Sequence, residues 1–170
     1  MRGACEAVEN EIMTLTIITV GSLKESYLKE AVAEYKKRLS QYAKVDEVDI
    51  PETRISNEDD KREIERALDT EATKIIAAIP DGAYKIALCV EGRQYSSEEL
   101  AGIVGDAEDS RGKLALIIGS SHGLSQRVKT MADLKLSFSK LTFPHQLIRV
   151  NLYEAIYRSF TILRGKRYHK

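Results

Sequence analysis

Residues 114–123 read Leu-Ala-Leu-Ile-Ile-Gly-Ser-Ser-His-Gly. Five apolar residues in a row, Leu114–Ile118, do not alternate with polar ones, so a strand built from them is dry on both faces. Gly119 ends the run, and a helical pattern follows from about Leu124 to Met131. Such a unit fits a parallel sheet with helices on both sides. The same unit recurs upstream. Thr14–Val20 is β-branched and apolar and stops at Gly21. It precedes a Ser22-x-x-Glu25 capping pair, with Leu28, Ala31, Val32, Tyr35 and Leu39 at helical spacing. Val45–Ile50 ends at Pro51 and leads to a helix over about 58–79 that buries Ile64, Leu68, Ile75, Ile76 and Ile79. Pro80-Asp81-Gly82 is a turn signal. Tyr84–Val90 is a third strand, and Ser96 with Glu99 caps a helix reaching about Asp109. Leu134–Phe138 reads as a fifth strand. Pro144 falls in the first turn of a long last helix, a position that tolerates its missing N–H. The fold class is α/β.

The chain has 170 residues, 43% hydrophobic and 31% charged, the size and balance of a single soluble domain. No apolar run approaches the ~20 residues a membrane helix needs. The N-terminus lacks the apolar core of a secretory signal. Two cysteines, Cys5 and Cys89, are poor material for a disulfide framework and suit a reducing, cytoplasmic setting. Residues 1–12 look detached from the patterned stretch 13–170, and are expected to be a poorly ordered or non-native extension before one domain.

Lys plus Arg is 26 and Asp plus Glu is 26, so no global charge advertises a nucleic-acid partner. The balance hides a dipole. Residues 44–71 hold 11 acidic and 5 basic residues, whereas residues 140–170 hold 7 basic residues against Glu154 alone. A charge run is ordinarily a solvated face. Here Tyr153, Tyr157, Phe160 and Tyr168 interleave with the basic end, which suits phosphate attraction and base stacking. The last helix carries a stripe of Ile148, Leu152, Ile156, Phe160 and Leu163, broadened by Leu147, Val150, Tyr153 and Tyr157. So wide an apolar surface implies deep burial within the chain or a second subunit, and a homodimer is expected.

Ligands of open parallel sheets gather at the carboxyl ends of strands. Three exits qualify: Glu91-Gly92, Gly119–Gly123 and Ser139–His145. Gly119-Ser120-Ser121-His122-Gly123 is literally G-x-S-x-G, so Ser121 is a candidate nucleophile, with Asp133 and His145 or His169 in a suitable chain order. It also reads as a tight turn that brings backbone groups close to a ligand, or as a plain strand-to-helix turn. Neither a G-x-G-x-x-G nor a G-x-x-x-x-G-K-[ST] phosphate cradle is present. His122, His145 and His169 are widely spaced, with no cysteine or paired-carboxylate pattern beside them, so no metal site is expected. Glu154 and Arg158 stand four apart on the last helix, the spacing of an ordinary helix ion pair.

The run Leu136–Val150, LSFSKLTFPHQLIRV, resembles the RlmH family of SPOUT-class ribosomal RNA methyltransferases. So do Ile17–Gly21, Ile118-Gly119-x-x-x-Gly123-Leu124, Arg164-Gly165 and Tyr168-His169. The resemblance extends over Met13–Lys170, and Ser120 stands where a glycine is common. It implies a homodimer with a C-terminal trefoil knot. It also implies an S-adenosylmethionine pocket at the three strand exits, contacted by Leu88, Gly119, Phe138, Ser139, Lys140, Leu141, Thr142 and Phe143. The implied reaction is methylation of N3 of a pseudouridine in helix 69 of 23S rRNA, position 1915, on the assembled ribosome.

An imide N3 must lose its proton for that transfer, which makes His169 the first candidate base and Glu154 the second. Arg158 is expected to steady a phosphate or the developing anion, and Tyr168 to stack on a base or order the tail. Arg164, Lys166, Arg167 and Lys170 are expected to contact phosphates. Two other readings remain open: a small serine hydrolase using Ser121, and a non-catalytic ribosome-binding dimer.

Overall fold

The computed structural model describes residues 11–168, so the expectations placed on residues 1–10, His169 and Lys170 lie outside it. Strands β1 (Met13–Val20), β2 (Ala43–Ile50), β3 (Tyr84–Arg93), β4 (Lys113–Ile118) and β5 (Leu134–Leu136) alternate along the chain with five helices. These are α1 (Ser26–Leu39), α2 (Lys61–Ala78), α3 (Ser97–Arg111), α4 (Gln126–Met131) and α5 (His145–Leu163). The strands form one sheet in the order β2-β1-β4-β3-β5, and every pairing is parallel.

β4 sits at the centre, in register with β1 through Leu15↔Leu114 and Ile17↔Leu116, and with β3 through Ile86↔Leu116. Successive side chains of a strand point to opposite faces, and both faces are covered. Met13, Leu15, Ile17, Leu114 and Leu116 pack with α1, α3 and α5, while Ile18, Val20, Ile117 and Ala87 pack with α2 and α4. Each fully buried Leu or Ile contributes roughly 1.5–3 kcal/mol, which is why an unbroken apolar run is stable only in the middle of such a sandwich.

Helix starts follow local chemistry. Asp60 caps α2 by accepting from the Arg62 and Glu63 N–H groups, and Ser96 with Glu99 forms the expected reciprocal capping box on α3. The Ser22/Glu25 capping pair does not form: α1 begins at Ser26, and Glu25 itself is the cap residue without a side-chain bond. Residues 22–25 are drawn instead towards α5, where the Lys24 N–H donates to Gln146 Oε1 at 3.1 Å. β5 is also shorter than its apolar pattern, ending at Leu136. Ser137 Oγ donates to the Ser139 carbonyl, and Ser139 Oγ accepts from the Leu141 N–H. These local side-chain bonds bend the chain out of the strand.

α5 lies against α1 and α3. Leu152, Tyr153, Ile156 and Phe160 are buried there, and Phe160 stacks on Tyr42 with ring centroids 5.4 Å apart. Much of the wide apolar surface of this helix is therefore used within the chain. α2 holds a residue that apolar spacing did not foretell: Glu71, 3% exposed, sits among Ala67, Ala72 and Ile75.

Candidate functional site

The carboxyl ends of β3 and β4 and the segment that follows β5 enclose a cavity of about 700 Å³, lined by parts of residues 88–91, 118–124 and 136–148 together with Lys129. That volume lies within the usual range of small-molecule sites. Two glycines make the walls possible. A Cβ on Gly119 would stand 2.2 Å from the Gly123 carbonyl oxygen, so only glycine lets the 119–123 turn close on itself. A Cβ on Gly92 would stand 2.6 Å from the Leu136 carbonyl carbon. Around that contact the chain wraps tightly: Leu88 and Arg93 both pair with Leu136, and the Ser137 N–H donates to the Arg93 carbonyl at 3.0 Å.

Leu88, Gly119, Phe138, Ser139, Leu141, Thr142 and Phe143 line this cavity, and Lys140 is exposed outside the lining. Leu141 is 73% exposed, at the mouth. Residues that sequence reasoning left without a role in the pocket also line it, namely Cys89, Glu91, Lys129, His145 and Ile148. Placement at a strand exit was the available signal for Glu91 and His145; Lys129, on α4, had none. Lys129 forms an ion pair with Glu91. That hydrogen bond holds the Glu91 carboxyl below the usual carboxylate range, whereas burial pushes the neighbouring Cys89 thiol up.

Beneath the glycine turn, Glu71 Oε1 accepts from the Thr53 N–H at 2.8 Å, and its carboxylate also bonds Ser120. Burial, aided by the charge of Glu52, raises its pKa in spite of these bonds. The carboxylate thus ties the segment after β2 to the cavity floor.

A second constellation lies towards the other end of α5. Arg158 Nε and its terminal nitrogen donate to Glu154 Oε1 at 3.0 and 2.5 Å. The Tyr168 hydroxyl donates to the same oxygen at 3.2 Å, and the Arg158 guanidinium lies 4.8 Å from the Tyr168 ring centre. The Tyr157 ring meets that of Tyr168 edge-on at 4.9 Å. Burial, the hydrogen bond with Tyr35 and the Glu154 charge push the Tyr168 phenol well up, so it keeps its proton and serves as a hydrogen-bond donor, not as a base. Arg164 is held by Glu108 on α3 at 2.5 Å, while Lys166 and Arg167 are exposed. Arg158 lies ten residues beyond Ile148, about 15 Å along the helix. Within one chain, Glu154, Arg158 and Tyr168 do not line the cavity.

The hydrolase constellation does not assemble. Asp133 precedes β5 and accepts from the Lys85 N–H at 2.8 Å, near the start of β3, so it sits at the amino ends of the strands. Ser121, His122 and His145 stand at the opposite, carboxyl ends. Among the described residues no group of three or more His, Cys, Asp or Glu is placed to hold a metal ion. No helix among them is long and apolar enough to cross a membrane.

The family model described as "Predicted SPOUT methyltransferase" matches residues 13–169. This chain belongs to the SPOUT methyltransferase family. A relative from Caldicellulosiruptor saccharolyticus, named Ribosomal RNA large subunit methyltransferase H, is 46% identical over 157 residues, 92% of this chain and 99% of the relative. The protein of the same name from Listeria monocytogenes is 45% identical over 159 residues, 93% of this chain and 100% of the relative. Among solved structures, a probable methylase family protein from Haemophilus influenzae superposes with a TM-score of 0.57 at 15% identity, over 92% of this chain and 70% of that one. That likeness shows a shared fold. Within the long run Leu136–Val150, residues 136–139, 141–145 and 148 line the cavity, and the run continues into the first turns of α5.

Proposed function

We propose that this protein methylates large-subunit ribosomal RNA with S-adenosylmethionine as methyl donor. The observation that carries the reading is the cavity at the three strand exits, in a chain about 45% identical, over nearly its full length, to proteins named for that activity. The donor fits the walls. Leu88, Ile118, Leu124, Leu136 and Phe138 offer apolar surface for a nucleoside. The 119–123 and 137–143 segments bring backbone N–H and C=O groups alongside, as sites for small molecules commonly do. When bound, S-adenosylmethionine supplies an electrophilic methyl group on a positively charged sulfur. The contribution of this chain is to hold donor and acceptor in line.

The finer reading is N3 of pseudouridine 1915 in helix 69 of 23S rRNA, on the assembled ribosome. His169 accepts the N3 proton, with Glu154 second in line. Arg158 steadies the anion or an adjacent phosphate, Tyr168 orders the tail, and Arg164, Lys166, Arg167 and Lys170 meet phosphates. These roles call for a homodimer: the Glu154–Arg158–Tyr168 cluster lies off the cavity of its own chain, so it would serve the cavity of a second copy. A trefoil knot is supported by the tight passage of residues 135–137 against Gly92.

The test is transfer from radiolabelled S-adenosylmethionine to intact ribosomes from cells lacking this gene. Label mapped to that pseudouridine supports the whole reading. Label elsewhere in the large-subunit RNA keeps the activity and removes the position. No label and no cofactor binding overturns both.

A further inference from the structure

The cavity is nearly free of fixed charge. Of its lining residues, Glu91 and Lys129 alone are Asp, Glu, Lys or Arg, and they face one another as an ion pair from the exit of β3 and from α4. The Lys129 side chain is 19% exposed and that of Glu91 45%, so the cation is the more enclosed partner. Among the described residues, Glu91 is the one ion-pair partner of the Lys129 ammonium group. S-adenosylmethionine ends in an α-amino acid, a carboxylate and an ammonium group on one carbon. An amino-acid zwitterion placed between two opposite charges exchanges one ion pair for two charge-assisted ones.

We infer that Lys129 and Glu91 recognise the amino-acid end of the methyl donor, Lys129 taking its carboxylate and Glu91 its ammonium group. This rests on the S-adenosylmethionine reading above. It makes the pair a specificity determinant, separating S-adenosylmethionine and S-adenosylhomocysteine from nucleosides that share the adenine, ribose and sulfur. Glu91 is suited to the task because it lines the cavity beside the Lys129 ammonium group and is the more exposed of the two, open to an incoming cation. The alternative role is a strut that ties β3 to α4, and the two roles predict different ligand ratios.

The experiment is calorimetric titration of the wild-type protein, Lys129→Met and Glu91→Gln with two ligands, S-adenosylhomocysteine and 5′-methylthioadenosine, which lacks the amino-acid end. Wild type should prefer S-adenosylhomocysteine. Lys129→Met, which keeps the apolar stem, should lose about tenfold in affinity for it, the scale of one charge-assisted contact, with 5′-methylthioadenosine unchanged. Glu91→Gln should narrow the ratio in the same direction, and its half-exposed position makes it the safer variant for folding. An unchanged ratio in both variants, including equal weakening of both ligands, overturns the inference in favour of the strut. Binding of neither ligand by wild type overturns the S-adenosylmethionine reading itself.

Discussion

The Arg149 guanidinium reaches back from the second turn of α5 to Asp49 at the end of β2, 3.3 Å from its carboxylate. The same group donates to the Gly21 carbonyl at 2.9 Å and to Thr19 Oγ1, whose own hydroxyl donates to Asp49 at 2.8 Å. At 7% exposure Arg149 is a buried cation, and it pins the start of α5, one side of the cavity, to the ends of β1 and β2. Arg149→Met keeps volume but strands the Gly21 carbonyl and Thr19. Losing hydrogen bonds to a charged group is worth about 1.5–3 kcal/mol, and half-exposed Asp49 recovers some solvation, so about 2 kcal/mol is expected. Denaturant melts check this. A change below about 0.5 kcal/mol, the scale of an ordinary exposed helix ion pair, would show the network to be incidental.

Gly119 gives a test of the cavity floor. Gly119→Ala places a Cβ inside contact distance of the Gly123 carbonyl, so the turn must open. Affinity for S-adenosylhomocysteine should fall by about tenfold or more, a loss of about 1.4 kcal/mol. Gly102 is the control: it lies within α3, and nothing stands within 4 Å of its Cβ position. Gly102→Ala should stabilise the fold by about 0.5–1 kcal/mol through helix propensity and leave binding alone. Equal affinities in the two variants would remove the glycine turn from the site.

Much of the frame was legible because its strands are buried on both faces. Leu114–Ile118 shows this as an unbroken apolar run, and all three strand exits named from the sequence line the cavity. What was not legible depends on contacts distant in sequence. The Lys24–Gln146 bond spans 122 residues and displaces the start of α1. Lys129 meets Glu91 only because α4 folds beside β3. Glu71 occupies an apolar position on α2 because Thr53 and Ser120 reach it there. Hydrophobic spacing carries no trace of such polar pairings. The knot is an expectation from family resemblance alone, since it leaves no periodic signal, whereas the dimer was expected also from the wide apolar stripe of the last helix, much of which is buried within the chain.

Glu71 sets a pH dependence. Its folded-state pKa is raised, chiefly by burial, so as pH rises the unfolded chain gives up this proton first. Stability from this group is therefore full below the ordinary carboxylate range, about pH 4, and is lost as pH rises through the folded value. Glu71→Gln keeps a carbonyl oxygen for the Thr53 N–H and removes the titration. The variant should melt higher than wild type near pH 7, with the gap closing towards pH 4. Thermal melts across that range decide it, and a gap independent of pH would assign the effect to packing.

Arg158 is the sharpest test of the second constellation. Its guanidinium joins Glu154 to the Tyr168 ring, and it lies off the cavity of its own chain. If the cluster serves the RNA acceptor, Arg158→Ala should depress methyl transfer to ribosomes by about tenfold or more, the scale of a lost charge-assisted contact. Affinity for S-adenosylhomocysteine should stay within about twofold of wild type, well under the tenfold step of 1.4 kcal/mol. His169→Ala should show the same split, and more steeply if it accepts the proton, since general-base catalysis contributes roughly a hundredfold or more. The bland role is a helix ion pair worth about 0.2–0.5 kcal/mol. Under that role Arg158→Ala would lower the melting temperature slightly and leave the transfer rate untouched. A parallel loss of cofactor affinity would instead mean that the cluster shapes the cavity from a distance, and would take Arg158 out of the acceptor side of the reaction.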